Sequence, residues 1–263
     1  AFRRGLEKPV DLRAKIRENQ QQALELLNVQ EIDHEQLQQL WKEFKADYFL
    51  RYSPEQIAWH CQHIVQHGKD KPLVLISAIP YRGGTEVFVY TKDKPHIFFN
   101  MVSLLGAKKL SIHDAKVTTS KTGYIANTFV VLDNHHKAIT DSNRAKALAK
   151  SLSANLASEK SRIKAKPLAK RFKQFKVKTQ VSFIESTTKN RTMLEIVALD
   201  HPGLLANIAA VFQKCKLQIH SAKITTFGEK AEDVFTVSNA DNEALTKAQE
   251  QALEVMLFAD SHQ

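Results

Sequence analysis

Apolar residues recur along this chain in two rhythms, and the change from one to the other divides it. Through the first 68 residues the spacing is helical: Leu12, Ile16, Ala23, Leu24 and Leu27 fall on one side of a segment that Asp11 can cap. Leu37, Leu40, Trp41 and Phe44 mark a second helix, and Ser53-Pro54-Glu55 opens a third, with proline where a first-turn N–H is not needed. Beyond Pro72 the pattern shortens to strands alternating with helices. Leu73 to Ile76 reads as an edge or connector strand before the Tyr81-Arg82-Gly83-Gly84 turn. The pattern then predicts a strand over 86–90, a helix over 96–105, strands over 110–118 and 126–132, a helix over 143–160 and a strand over 175–184. In that last strand Phe175, Val177, Val181 and Phe183 alternate with Lys176, Lys178, Gln180 and Ser182, as in a strand with one wet face.

The same series starts again at Met193: strand 193–199, helix 204–215, strands 217–225 and 234–239, helix 243–258. It is a duplication. At an offset of 107, Asp93, Pro95, Asn100, Leu110, Ile112, His113, Ala115, Lys116, Thr118 and Thr119 meet identical residues from Asp200 to Thr226. Both first helices carry apolar residues at helical spacing, Ile97, Phe98, Met101, Leu104 and Leu105 against Leu204, Leu205, Ile208, Val211 and Phe212. The expected fold class is therefore α+β, a helical amino-terminal segment followed by two ferredoxin-like βαββαβ units. In both second strands the buried positions change parity midway, from Leu110 and Ile112 to Ala115 and Val117, and from Leu217 and Ile219 to Ala222 and Ile224. A regular strand cannot bury both sets on one face, so a β-bulge is predicted near His113-Asp114 and near His220-Ser221.

Composition narrows the function classes. With 263 residues and 43% apolar content the chain can build two ordinary domain cores. Cys61 and Cys215 are far apart and form no CxxC pair, which argues against a disulfide scaffold or zinc ribbon and for a reducing compartment, the cytoplasm. No apolar run reaches the roughly 18 residues of a membrane span, and the Ala1-Phe2-Arg3-Arg4 start reads as the beginning of a piece of a longer polypeptide. The net charge of +10 is local, since 160–178 alone holds nine Lys/Arg and no acid. Stacking aromatics are few there, so a solvated connector is preferred to a nucleic-acid surface.

Candidate chemistry is sparse. No G-x-S-x-G or H-E-x-x-H occurs, and Arg82-Gly83-Gly84 lacks the Gly-Lys-Ser/Thr tail of a phosphate loop. His60, His63 and His67 share a helix at i, i+3 and i+7 with no fourth ligand in view, so a partly exposed helix face, or one packed against a domain outside this sequence, is expected and no metal site is assigned. No catalytic residue is assigned either. The informative segment is Asp200-His201-Pro202-Gly203-Leu204-Leu205. Here proline opens a helix, glycine lets a ligand reach the backbone, and free first-turn amides offer donors to a carboxylate while Asp200 suits the matching ammonium. An α-amino acid carries both groups. The alternative is that Asp200 only caps the helix and Pro202-Gly203 only makes a turn.

The strings LEIVALDHPGLLANIAAVFQ and LQIHSAKITTFGEKAEDVFTV resemble an ACT domain, the βαββαβ module that binds amino acids in many regulated enzymes. With RGGTEVFVY, the degenerate first copy, the basic connector and the helical opening (AFRRGLEKPVDLRAKIRENQ, YFLRYSPEQIAWHCQHIVQH), the whole chain is similar to the carboxy-terminal region of the bifunctional PII uridylyltransferase/uridylyl-removing enzymes. The resemblance implies residues 1–68 as the end of the HD-to-ACT helical linker, 69–84 as a connector, 85–184 as a degenerate first ACT domain with a basic loop at 160–173, and 190–263 as a second. It implies L-glutamine as ligand, the PII signalling protein as partner through the parent enzyme, and Mg2+ for the parent's catalytic domains, whose motifs are not in this sequence. Carried over by residue, the amino-acid site is Asp200, Pro202, Gly203, Leu204 and Leu205. The first copy keeps Asp93 and Pro95 but has His96 where glycine belongs, which crowds a ligand. Because ACT ligands commonly sit between modules, Asp93, His113, Asp114, His220 and Ser221 are secondary candidates. The rival readings are an ACT tail of another regulated enzyme, such as a (p)ppGpp synthetase/hydrolase, or a basic nucleic-acid binder.

Overall fold

The computed structural model describes residues 11–27, 32–77, 79–81, 83–94, 97–158, 179–186, 189–200, 204–228 and 230–260. The chain forms two compact units, one of residues 1–69 with 120–122, the other of 70–119 with 123–263. The basic loop 160–173, Pro95, His96, Pro202 and Gly203 lie outside the described residues.

The first unit holds four helices, α1 (Leu12–Leu26), α2 (His34–Glu43), α3 (Ala46–Arg51) and α4 (Pro54–His67). Their starts are written in the sequence. Asp11 accepts from Arg13 and Ala14 N–H, Asp33 caps α2 in the same way, and Ser53 with Gln56 forms a capping box ahead of Pro54. The short α3 was not expected from the apolar spacing; it carries Tyr48 and Phe49 into an aromatic core with Phe44, Tyr52 and Trp41. His60 is in that core rather than on an exposed face: it is fully buried, with Nδ1 3.1 Å from the Tyr48 hydroxyl, while His63 Nδ1 lies 2.8 Å from the Trp59 carbonyl. Position 60 falls on the inward stripe with Ile57, Cys61 and Ile64, which spacing relative to His63 and His67 alone does not reveal. Burial pushes the Cys61 thiol up to about 12, against the Trp41 indole N–H that donates to its sulfur at 3.3 Å, so this thiol stays protonated.

In the second unit the first repeat comprises β1 (Leu73–Ile76), β2 (Thr85–Lys92), α5 (Ile97–Ala107), β3 (Ser111–Lys116), β4 (Tyr124–Leu132) and α6 (Ser142–Ala157). The second comprises β5 (Gln180–Glu185), β6 (Thr192–Leu199), α7 (Leu204–Lys214), β7 (Gln218–Lys223), β8 (Thr226–Phe227), β9 (Lys230–Ser238) and α8 (Lys247–Asp260). Eight of these strands run in the order β1-β2-β4-β3-β7-β9-β6-β5, all paired antiparallel, and β8 adds to β9. The α+β class is as expected, with one correction to how the strands are shared out. The strand at 180–185 does not close the first repeat; it pairs with β6 from Glu185↔Thr192 to Gln180↔Val197. In the first repeat that edge is taken by β1, the first of the two roles, edge or connector strand, expected for this stretch. The reason is loop closure: each edge strand folds back on the strand that follows it across a short link, while a return across 158–179 would close a far longer loop.

The duplication is legible bond by bond. Thr85 Oγ1 accepts the Ile139 N–H at 2.6 Å and Thr192 Oγ1 accepts the Leu245 N–H at 2.9 Å. Asp133 takes the N–H groups of His135 and Lys137, and Asn239 those of Asp241 and Glu243. Left-handed residues recur as Lys109 with Lys216 and His136 with Asn242. The predicted bulges are present: the register slips between Ile112 and Asp114 and between Ile219 and Ser221, leaving His113 and His220 as the extra residues. The repeats join where Lys116 of β3 pairs with Lys223 of β7, each the other's copy at the 107-residue offset, so a pseudo-two-fold axis passes through that pair. One apolar core runs under both repeats, including Met101 and Leu105 of α5, Phe212 of α7, Phe129 of β4 and Phe235 of β9, and α5 packs against α7. Each such side chain contributes roughly 1.5–3 kcal/mol on burial.

Thr85→Val and Thr192→Val should each strand a buried peptide N–H and cost about 1–3 kcal/mol. Urea unfolding would show it; an unmoved midpoint in either variant would mean that its loop anchor contributes no stability.

Candidate functional site

The pseudo-two-fold axis relates two turns of the second unit. In one, Asp200 follows β6 and Leu204 and Leu205 open α7, Leu205 being buried. In the other, Asp93 follows β2. The bulge residues His113 and His220 are related in the same way, and the imidazole of His113, in the first repeat, feels the charge of Asp200 in the second. Asp114 and Ser221 take up the ladder again after the bulges, opposite Val130 and Thr236, and Ser221 donates to Thr236 Oγ1 at 3.0 Å.

The two bulge histidines are not chemically equal. His220 Nε2 lies 2.7 Å from the Ser238 hydroxyl, so that imidazole is occupied. The position matching Ser238 in the first repeat is Leu132, which has no hydrogen-bonding group, and His113 Nε2 is buried with no partner among the described residues. A buried nitrogen left unpaired costs stability, and a ligand that pairs it recovers the loss. Burial lowers the His113 pKa, the Asp200 carboxylate works against this and His136 with it, so the ring is neutral at physiological pH and can donate or accept. Asp93 is raised by burial, opposed by the Lys94 N–H, and its own N–H donates to the Gly123 carbonyl at 2.8 Å.

A further carboxyl, not among the expected residues, feels the charge of Asp200. Asp233 of β9 is 1% exposed and accepts the Thr225 N–H at 3.4 Å. Burial pushes its pKa up to about 7, with the Thr225 N–H opposing and the Asp200 charge adding. In the first repeat the same place holds Asn127, whose Oδ1 accepts the Thr118 N–H at 3.2 Å. A neutral amide there and a carboxyl reluctant to ionise here fill the same niche. The sequence does carry a signal for Asp233: it sits at the buried parity of β9 between Ala231 and Phe235, where an acid is out of place. No group of three or more His, Cys, Asp or Glu suited to a metal ion occurs among the described residues.

The chain has been compared with known proteins. Residues 11–63 match the family model of the uridylyltransferase GlnD fifth domain. Bifunctional uridylyltransferase/uridylyl-removing enzymes of Vibrio cholerae serotype O1 and Vibrio atlanticus are each 47% identical, over 98% and 96% of this chain and 30% and 29% of their own length. The chain therefore spans about a third of the curated relatives it matches, aligned with their C-terminal part. A crystal structure of aspartate kinase from Synechocystis overlaps 67% of this chain and 26% of its own at 13% identity with a TM-score of 0.38.

Asp233 also gives the chain a pH signature. Its carboxyl ionises near the ordinary value of 3.8 in the unfolded chain and near 7 in the folded one, so stability falls as pH rises between these limits and then levels off. Asp233→Asn should remove that slope, leaving the variant more stable than the parent by about 2–4 kcal/mol at pH 8 and no more stable at pH 4. Urea unfolding at the two pH values would show it; a difference independent of pH would place Asp233 in water.

Proposed function

We propose that this chain, which corresponds over 98% of its length to the C-terminal part of bifunctional uridylyltransferase/uridylyl-removing enzymes, is the glutamine-sensing regulatory region of such an enzyme. The observation that carries the reading is the buried Nε2 of His113, which has no partner among the described residues, on an imidazole that feels the charge of Asp200 in the other repeat. A zwitterion supplies partners for both. Its ammonium pairs with the Asp200 carboxylate, and its carboxylate takes free amides at the opening of α7, Leu204 and Leu205, where the helix dipole adds to the attraction. A polar side chain then reaches His113 and Asp114. The related turn at Asp93, with His220 held by Ser238 and His96 in the glycine position, is the weaker of the two.

Because the ligand touches both repeats, it favours one packing of β3 against β7 over others, and a signal needs no more than that difference in affinity. In the parent enzyme, low glutamine then corresponds to transfer of UMP from UTP to the PII protein, and high glutamine to its removal, both in catalytic domains that use Mg2+. In this reading the catalytic residues belong to those domains. No helix among the described residues is long and apolar enough to cross a membrane. The buried, protonated Cys61 suits a reducing cytoplasm.

Calorimetry of the chain against the twenty amino acids tests the reading. Heat is expected with L-glutamine, weakened at least about tenfold by Asp200→Ala and by His113→Ala. Absence of heat with every amino acid, or glutamine affinity unchanged in Asp200→Ala, would overturn it.

A further inference from the structure

Ser120, Lys121 and Thr122 belong to the first unit, although β3 and β4 on either side of them belong to the second. The end of α2 explains why. That helix stops at Glu43, and the carbonyls of a last helical turn have no partner within the helix. The Lys121 N–H donates to the Glu43 carbonyl at 2.8 Å and the Lys121 ammonium to the Lys42 carbonyl at 2.9 Å, where a cation also suits the negative end of the helix. The Glu43 side chain is only 11% exposed, and its carboxylate accepts the Thr122 hydroxyl at 3.0 Å and the Lys69 ammonium at 2.7 Å. Main chain and side chains of the tip together cap one helix.

The sister hairpin closes differently. In the second repeat Thr226 pairs with Ala231 and Phe227 with Lys230. The matching pair in the first repeat is the bridge Thr119↔Ile125, and no further pair follows it among the described residues. The stretch after that bridge, 120–124, is one position longer than its copy, 227–230, and the copy Phe227-Gly228-Glu229-Lys230 has no Lys-Thr pair to offer a helix end. The same hairpin thus has two ways to close: on its own sheet, or on α2.

We propose that the 120–122 tip is the conformational relay of the sensor, a ligand at the seam of the repeats shifting the balance between a tip held by α2 and a tip closed on its own sheet. The inference rests on the amino-acid-sensing reading above. β3 carries His113 at its bulge and meets β7 at Lys116. Past that point the Thr118 hydroxyl donates to the Ala126 carbonyl at 2.7 Å and the Ala126 N–H to the Thr118 carbonyl at 2.9 Å, so β3 stays in step with β4 up to the tip. A shift of β3 against β7 is therefore delivered at Ser120. Just beyond the tip, the Gly123 carbonyl accepts the Asp93 N–H at 2.8 Å, which ties the first repeat's own turn to the same place. The repeat less suited to binding is the one that transmits. A relay requires an element with two arrangements that the ligand biases unequally, and the sister hairpin supplies the precedent for the second arrangement.

Both tryptophans of the chain, Trp41 and Trp59, lie in the first unit, Trp41 in α2 beside Lys42, whereas the ligand residues lie in the second. Tryptophan emission followed through a titration with L-glutamine, with calorimetry and hydrogen exchange at the Lys121 amide alongside, therefore reads the relay. In the parent chain the emission should change with the midpoint of the heat, and exchange at Lys121 should change at least about fivefold, the low end of ordinary coupling between sites. The double substitution Lys121→Ala and Thr122→Ala should still give heat with glutamine but shrink the emission change at least about fivefold. Heat in the parent with emission and Lys121 exchange both unmoved, or an emission change that survives whole in the double variant, overturns this inference and leaves the sensing role standing. A parent that gives no heat with glutamine removes both.

Discussion

The pairing of β3 with β7 is the contact on which the functional arrangement depends. It turns two small sheets into one and sets α5 against α7. Its register is fixed at one point, Lys116 opposite Lys223. Like charges facing across a ladder are unfavourable, so this pair does not drive the union. The Lys116 ammonium lies 5.4 Å from the centre of the Tyr81 ring and Lys223 is exposed, which eases the repulsion, and the shared apolar core beneath supplies the cohesion.

The bulges turn that pairing into a site. One additional residue per strand lets Ile112 and Ala115 both face the core, and the residue left over is a histidine in each repeat. Without the slip, parity would bury either the first half of the strand or the second. The device that rescues packing is the same one that places an imidazole at the junction.

The duplicated frame carries different chemistry in its two copies. Ser238 against Leu132 decides which imidazole already has a partner, and Asp233 against Asn127 which repeat buries an acid. Each change is conservative towards the fold, since the anchoring bonds from Thr118 and Thr225 survive in both repeats. Specialisation of this kind leaves the stabilising framework shared and the chemistry distinct.

Periodicity and internal identity are one-dimensional properties, and they sufficed for the class of fold, the strand–helix series of both repeats, the helix caps at Asp11 and Ser53 and the two bulges. His60 shows the limit: its spacing was visible, but whether position 60 faced Tyr48 or water depended on α3, a helix too short to leave a period. The edge that β5 joins and the antiparallel meeting of β3 with β7 were settled by tertiary structure. These depend on which strands become neighbours across long stretches of chain, and that choice is made by loop closure and core burial summed over the whole unit, which no local pattern records.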